Sequence, residues 1–282
     1  MKENDVLKMT ASFINCQKCT KIRNGSGKKV LTESWQPPRG WAGNLSEGDV
    51  LRPLMVVSLN PGHPFEEEKE MWSKNKIVIQ KKKRPDGTEP FGIEHAKQIL
   101  EFCTRSFLFK NEKDKSLASN LIFHKKASGY ARLCLWLLDD PSWEKNWLNA
   151  CWFTDIIKCS TGKESGPYIP QEMIDNCSEH FIAEMKAFKP KAILVLGNPA
   201  RDQVCGIVKK NNIQIPVVYF RHPSNGGPPL DSTDLIKSFE DFVHQVEEHF
   251  PEDLPNVRER FTSEEFKIIR KRIQDELFAH RD

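Results

Sequence analysis

Four of the eight cysteines in this 282-residue chain could meet at one soft metal centre if the chain folds back on itself. Cys16 and Cys19, in INCQKC, have two residues between them, which lets both thiols face a single ion or cluster; Cys159 and Cys177 follow with seventeen residues between them. Cys177 also has a plainer reading. Ile174, Cys177, Phe181, Met185 and Phe188 recur at steps of three and four, so Cys177 fits the buried stripe of a helix as a small core residue. The second chemical set is polar and sits just past apolar runs: Asn60 in SLNPG, Asp155 in TDIIKC, Asn198 in LGNPA and His222 in HPS. Singly, a strand-end Asn is a turn residue and a His before Pro is a loop residue. Four such exits on one sheet edge, carrying amides, a carboxylate and an imidazole, point to a shared ligand crevice.

The elements that must position these groups follow from periodicity. Apolar runs at 54–57 (LMVV), in CWFTDII, in AILVLG and over 215–220 (IPVVYF) read as buried strands, and helix-length segments separate them. The pattern predicts an α/β fold with three layers, α/β/α, around a central, mainly parallel four-stranded sheet. Helices are expected before Cys16, from Ile93 to Phe107, from Tyr130 to Leu138, from Gln171 to Phe188, from Asn198 as N-cap to about Lys210, and from Leu235 to Phe250. A last helix is expected behind a capping box of Thr262 and Glu265. His124, Lys125 and Lys126 read as linker, and Cys103, Cys134, Cys151 and Cys205 as core. Residues 1–250 are expected to form the main domain and 251–282 a helical extension.

Composition sets the class. With 38% hydrophobic and 29% charged residues the chain is globular, and it has neither an apolar run of membrane-spanning length nor a signal-peptide core, so a cytoplasmic protein is expected. In that compartment eight cysteines argue for metal ligation or buried thiols rather than disulfides. Net charge is only +3, so affinity for nucleic acid must come from local patches, of which Lys81, Lys82, Lys83 and Arg84 in the 65–92 excursion are one; a solvated loop is the plainer account of that run.

Taken together and in order, these motifs resemble the uracil-DNA glycosylase superfamily, in particular its iron-sulfur branch. That branch carries an early C-x2-C, a GEAPG or GINPG motif, T-N-x-x-K-C with a later cysteine, P-K-x-x-x-x-L-G-x-x-A, and H-P-S. Here they stand as Cys16 and Cys19, SLNPG, TDIIKC with Cys177, PKAILVLGNPA, and HPS, over roughly residues 10–230. The resemblance implies a DNA glycosylase of base excision repair, a monomer acting on DNA. It implies a four-iron four-sulfur (4Fe-4S) cluster on Cys16, Cys19, Cys159 and Cys177. It further implies that Asn60 orients the water, that His222 stabilises charge on the departing base, and that Asp155 contacts the base edge. Phe91 or its rival Phe65 would stack on the flipped base, with Asn198 and Ser224 completing the motifs on the substrate side. These roles suit the chemistry, because breaking a base–sugar bond leaves negative charge on the base, and a duplex base must leave the stack to be reached.

The sequence departs from the pattern at Asp155, where the family carries Asn. An amide both donates and accepts, matching uracil's ring N–H and carbonyl together, whereas an ionised carboxylate only accepts. Three outcomes are open: Asp155 is held protonated by burial, the pocket takes another lesion, or activity is lost. Ser58 also replaces the usual Gly of the first motif, and Asn60 its common acidic residue. No lysine stands in a motif position that calls for a Schiff base. A non-catalytic iron-sulfur nucleic-acid-binding protein of the same fold, and a zinc-stabilised α/β protein, are the alternatives.

Overall fold

A computed structural model describes residues 3–16, 18–19, 21–23, 41–42, 52–59, 91–108, 118–159, 169–222 and 229–278. In chain order the described strands are β1 (Trp41–Ala42), β2 (Leu54–Ser58), β3 (Cys151–Asp155), β4 (Ala192–Leu196) and β5 (Val217–Phe220). The helices are α1 (Glu3–Asn15), α2 (Ile93–Leu108), α3 (Ala118–Leu137), α4 (Trp147–Ala150), α5 (Gln171–Phe188), α6 (Asn198–Lys210), α7 (Thr233–His249), α8 (Val257–Thr262) and α9 (Glu264–Phe278). The fold is the three-layer α/β/α arrangement read from the sequence.

The sheet order is β1-β3-β2-β4-β5. Four strands form its body, and the two-residue β1 adds an antiparallel edge beside β3 through Trp41 and Thr154. β2 and β4 pair in parallel from Leu54 opposite Ala192 to Val57 opposite Val195, and β4 pairs with β5 from Ile193 opposite Val217 to Leu196 opposite Phe220. Every residue of β3 and β4 is buried, as continuous apolar runs require when helices cover both faces. β5 starts at Val217 because Pro216 has no N–H to give, although its carbonyl still accepts from Ile193 N at 2.9 Å. At the outer edge of β5 the Gln245 amide takes the place of a neighbouring strand: its oxygen accepts from Val217 N at 2.6 Å and its nitrogen donates to Val217 O at 3.1 Å.

The chain divides into two compact units. One comprises Met1–Val50, Leu59–Ser106 and Phe153–Phe188; the other comprises Leu51–Ser58, Phe107–Trp152 and Lys189–Asp282. In the first, α1 lays Val6, Phe13 and Ile14 inward, and Phe13 meets His180 of α5 edge to face at 4.9 Å between centroids. The second is built on β2, β4, β5 and the C-terminal helices. It buries Arg52, which donates to the carbonyls of Leu148 and Asn149 at the end of α4.

Four local expectations are corrected. Asn198 is the first helical residue of α6 and not its N-cap; Gly197 caps the helix at φ 99°, a conformation that glycine reaches without strain, so the boundary moves one residue upstream. Thr262 ends α8, its hydroxyl donating back to Arg258 O at 2.9 Å, and Ser263 caps α9 by accepting from Phe266 N at 3.1 Å. His124, Lys125 and Lys126 lie within α3, which begins well upstream of Tyr130. Cys205 is exposed, because Ala200, Val204 and Ile207 take the buried stripe of α6; Cys134 and Cys151 are core as expected.

Candidate functional site

The first unit gathers the thiols. α1 ends at Asn15, a turn follows through Cys16 and Cys19, and Ile22 N donates to Cys19 O at 3.2 Å. Cys177 projects from the buried stripe of α5, and Cys159 lies just beyond β3. The Cys19 thiol donates to the Cys177 sulfur, and Asn176 Nδ2 donates to Cys19 Sγ at 3.8 Å. That bond from Cys19, opposed by burial and helped by the Lys158 backbone N–H, pulls the Cys177 thiol down to about 7; the same pairing, reinforced by burial and by Cys159, pushes Cys19 up. Cys16 is half-buried and, like Cys177, lies within electrostatic reach of Lys18. A thiol poised to ionise is what a metal requires. Among the described residues no three His, Cys, Asp or Glu side chains are placed to grip one ion. A single tetrahedral zinc draws its sulfurs in to about 2.3 Å, whereas a cubane cluster binds each thiolate at a different corner and so spreads them. Four thiolates are a donor set that either group accepts.

Beyond β3 the chain makes a buried polar knot. Lys158 and Glu184 are almost fully buried, at 1% and 0% exposure, and form an ion pair at 2.5 Å. The three N–H bonds of the Lys158 ammonium are all taken: by Glu184 Oε2, by Thr154 Oγ1, and by the main-chain oxygen of Asp155 at 2.6 Å. Since Thr154 accepts from Lys158, its own hydrogen goes to Glu184, 2.9 Å from Oε1. The Lys158 ammonium also stands 5.5 Å from the Phe13 ring centroid. Asp155 itself is buried at the end of β3, its main chain fixed by this knot. Nearby, Ile157 N donates to Leu59 O at 2.9 Å, which fastens the exit of β3 to the residue before Asn60.

Phe91 is buried and its ring meets His95 edge to face at 5.4 Å between centroids. Its carbonyl accepts from Asn15 Nδ2 at 2.8 Å, and the same amide group donates to Ala11 O at 2.9 Å. The residue before Cys16 therefore holds the backbone of Phe91.

The second unit carries Asn198 and His222. Gly197 N donates to Phe220 O at 2.8 Å, and a Cβ placed on Gly197 would stand 3.3 Å from His222 Cβ, so the bare backbone makes room for the imidazole. Burial holds His222 below the ordinary histidine range, which leaves it neutral at pH 7 with one N–H to donate. Asn198 Oδ1 accepts from the Tyr219 hydroxyl, and Arg201 lies over the Tyr219 ring at 4.9 Å.

Asn60, Phe65 and Ser224 lie outside the described residues, as does the basic run at 81–84. Four residues that position the site were absent from the sequence reading of it: Asn15, Lys158, Glu184 and Gly197. Glu184 was discoverable, since it stands seven residues after Cys177 on the buried stripe of α5, where a carboxylate demands a buried cation. No helix among the described residues is long and apolar enough to cross a membrane. No curated protein matches the chain. The family model of the uracil DNA glycosylase superfamily matches residues 45–227.

Proposed function

The chain belongs to the uracil DNA glycosylase superfamily, and from that premise we propose that it hydrolyses the N-glycosidic bond of a flipped, deaminated base and leaves an abasic site. Proteins of this superfamily act on DNA, which supports DNA as the substrate class. The carrying observation is His222, half-buried against Gly197 and held neutral by burial. As the bond breaks, electrons move to the base and cationic character to the sugar. A neutral imidazole N–H that donates to the departing base stabilises that growing negative charge, and water attack on the sugar completes the hydrolysis. Asn60 orients that water, Asp155 reads the base edge, and Phe91 or Phe65 stacks on the flipped ring. Asn198 and Ser224 complete the LGNPA and HPS motifs on the substrate side. Lys158, whose ammonium is committed to three acceptors, offers no free amine for a Schiff base, which supports a monofunctional reaction without strand cleavage.

The thiols Cys16, Cys19, Cys159 and Cys177 would hold a four-iron four-sulfur cluster. Bound there, it would supply metal–thiolate bonds that tie the N-terminal turn, the exit of β3 and α5 together, a structural role. DNA would cross the strand carboxyl ends as the partner of a monomer, with Lys81–Arg84 contacting phosphates and making affinity fall with salt.

Oligonucleotides containing uracil, hypoxanthine, xanthine or a mismatched thymine, followed by hot alkali, test the reading. We expect abasic-site formation from at least one, a loss of about a hundredfold to a thousandfold in turnover for His222→Ala with DNA binding retained, and faster uracil release from Asp155→Asn. The absorption of anaerobically purified protein should be brown, and Cys177→Ser should lower both colour and iron content. A coloured protein that releases none of these bases would be a non-catalytic nucleic-acid-binding member of the same fold. A colourless zinc protein would remove the cluster from the proposal.

A further inference from the structure

Two residues that the proposed chemistry does not use share an arrangement. Each immediately precedes a cysteine of the thiol set, and each spends side-chain donors on the main-chain carbonyl of a residue assigned to the base. Asn15, before Cys16, donates to Phe91 O at 2.8 Å. Lys158, before Cys159, donates to Asp155 O at 2.6 Å while its backbone N–H serves the Cys177 sulfur. All of these residues belong to the same compact unit. A buried ammonium is a demanding way to hold one carbonyl, since it needs Glu184 as counter-charge and Thr154 to relay the hydrogen bonds. A pair of apolar side chains would fill the same space with no desolvation penalty.

We propose that Lys158, with its counter-ion Glu184, and Asn15 are positioning residues that lock the backbones of Asp155 and Phe91 to the thiol-bearing segments, so that the geometry of base recognition is set from the cysteine side. The inference rests on the base-contact roles assigned above. It separates the two links by what they control. Asp155 reads a polar edge, so loosening its backbone changes which bases are accepted; Phe91 offers a ring face that every base shares, so loosening it affects all bases alike.

The test uses the full-length, anaerobically purified protein and two variants. The double variant Lys158→Met with Glu184→Leu removes the ion pair without stranding a charge, and its melting temperature should be unchanged or raised. Its kcat for base release should fall by about tenfold to a hundredfold, as for a small misplacement of a reacting group. KM should hold, and the ratio of uracil to hypoxanthine release should shift. Asn15→Ala, which removes the amide from a half-buried position, should lower release of all lesions by one common factor and leave that ratio alone. Amide hydrogen exchange gives a readout that needs no activity: exchange at Asp155–Ile157 should quicken in the double variant and around Phe91 in Asn15→Ala, with the remaining core protected. Unchanged exchange and unchanged kcat in a folded variant would overturn the proposal, as would an identical loss for every lesion in the double variant. A wild-type protein that releases no base would instead sink the glycosylase reading, and exchange alone would then decide whether these residues lock the two backbones.

Discussion

The two compact units solve the problem of an interior in opposite ways. In the unit that includes Phe153–Phe188, the buried set contains Lys158, Glu184, Thr154 and three thiols, with His180 half-buried beside them. The unit that includes Lys189–Asp282 is held by a run of rings. Tyr130 meets Phe220 in a tilted contact at 4.6 Å between centroids, Phe220 meets Phe239 edge to face at 5.1 Å, Phe239 meets Phe266 edge to face at 5.7 Å, and Phe266 meets Trp136 in a tilted contact at 5.6 Å. Its buried Arg52 and Arg132 donate to main-chain carbonyls, with Arg132 also reaching Glu276. Apolar packing is non-directional and forgiving of small shifts, while a buried ion pair has one good geometry. One interior supplies stability, and the other supplies position.

The sharpest way to break that contrast is to damage each interior once. Phe239→Ala, at the middle of the ring run, should cost about 3–5 kcal/mol in denaturant unfolding. Lys158→Ala should cost a similar 3–5 kcal/mol or so, because it strands the Glu184 carboxylate without a cation. The contrast appears on repair: restoring an apolar residue of ring size rescues the first, whereas the second is relieved only by changing Glu184 as well. If Lys158→Ala proved as mild as a surface substitution, the polar interior would be no more specific than the aromatic one.

Acid should sharpen the difference further. Burial, together with the nearby ammonium groups of Lys158 and Lys18 and against the pull of Glu179, lowers the His180 pKa to about 4. The folded protein therefore keeps His180 neutral where the unfolded chain already binds a proton. Stability from this group is complete above the ordinary histidine value near 6.5 and is lost as pH falls from there towards 4, by about 3 kcal/mol in total. Urea midpoints measured across that window should drop in the wild type and flatten in His180→Leu. The smallest expected effect is at Gly197, where alanine must adopt φ near 99° and press on His222 Cβ at 3.3 Å. Gly197→Ala should destabilise by about 1–3 kcal/mol and slow base release more than DNA binding.

What the sequence disclosed divides along the same line. The strands and α5 were legible because each is a local pattern: an apolar run or a three-to-four step. Asp155 and His222 were legible as strand exits. The buried place of Glu184 could be read from the stripe of α5, but its partner Lys158 could not, since the pairing joins positions 26 residues apart and forms only once the exit of β3 and α5 pack together. Asn15 was missed for the same reason, its partner Phe91 being 76 residues away. Gly197 was misjudged because the Asn-Pro behind it imitates a helix start, and only the close approach of His222 shows why the glycine takes the cap.

The Gln245 amide on Val217 has a consequence for the protein in bulk solution. Among the described strands β5 is terminal, and a terminal strand offers N–H and C=O groups to any second chain. Gln245 occupies both groups at the first residue of β5, so a second molecule that approaches there meets an amide already satisfied from its own helix. Gln245→Leu would remove that guard and leave the fold in place; its signature would be faster growth of light scattering at high protein concentration.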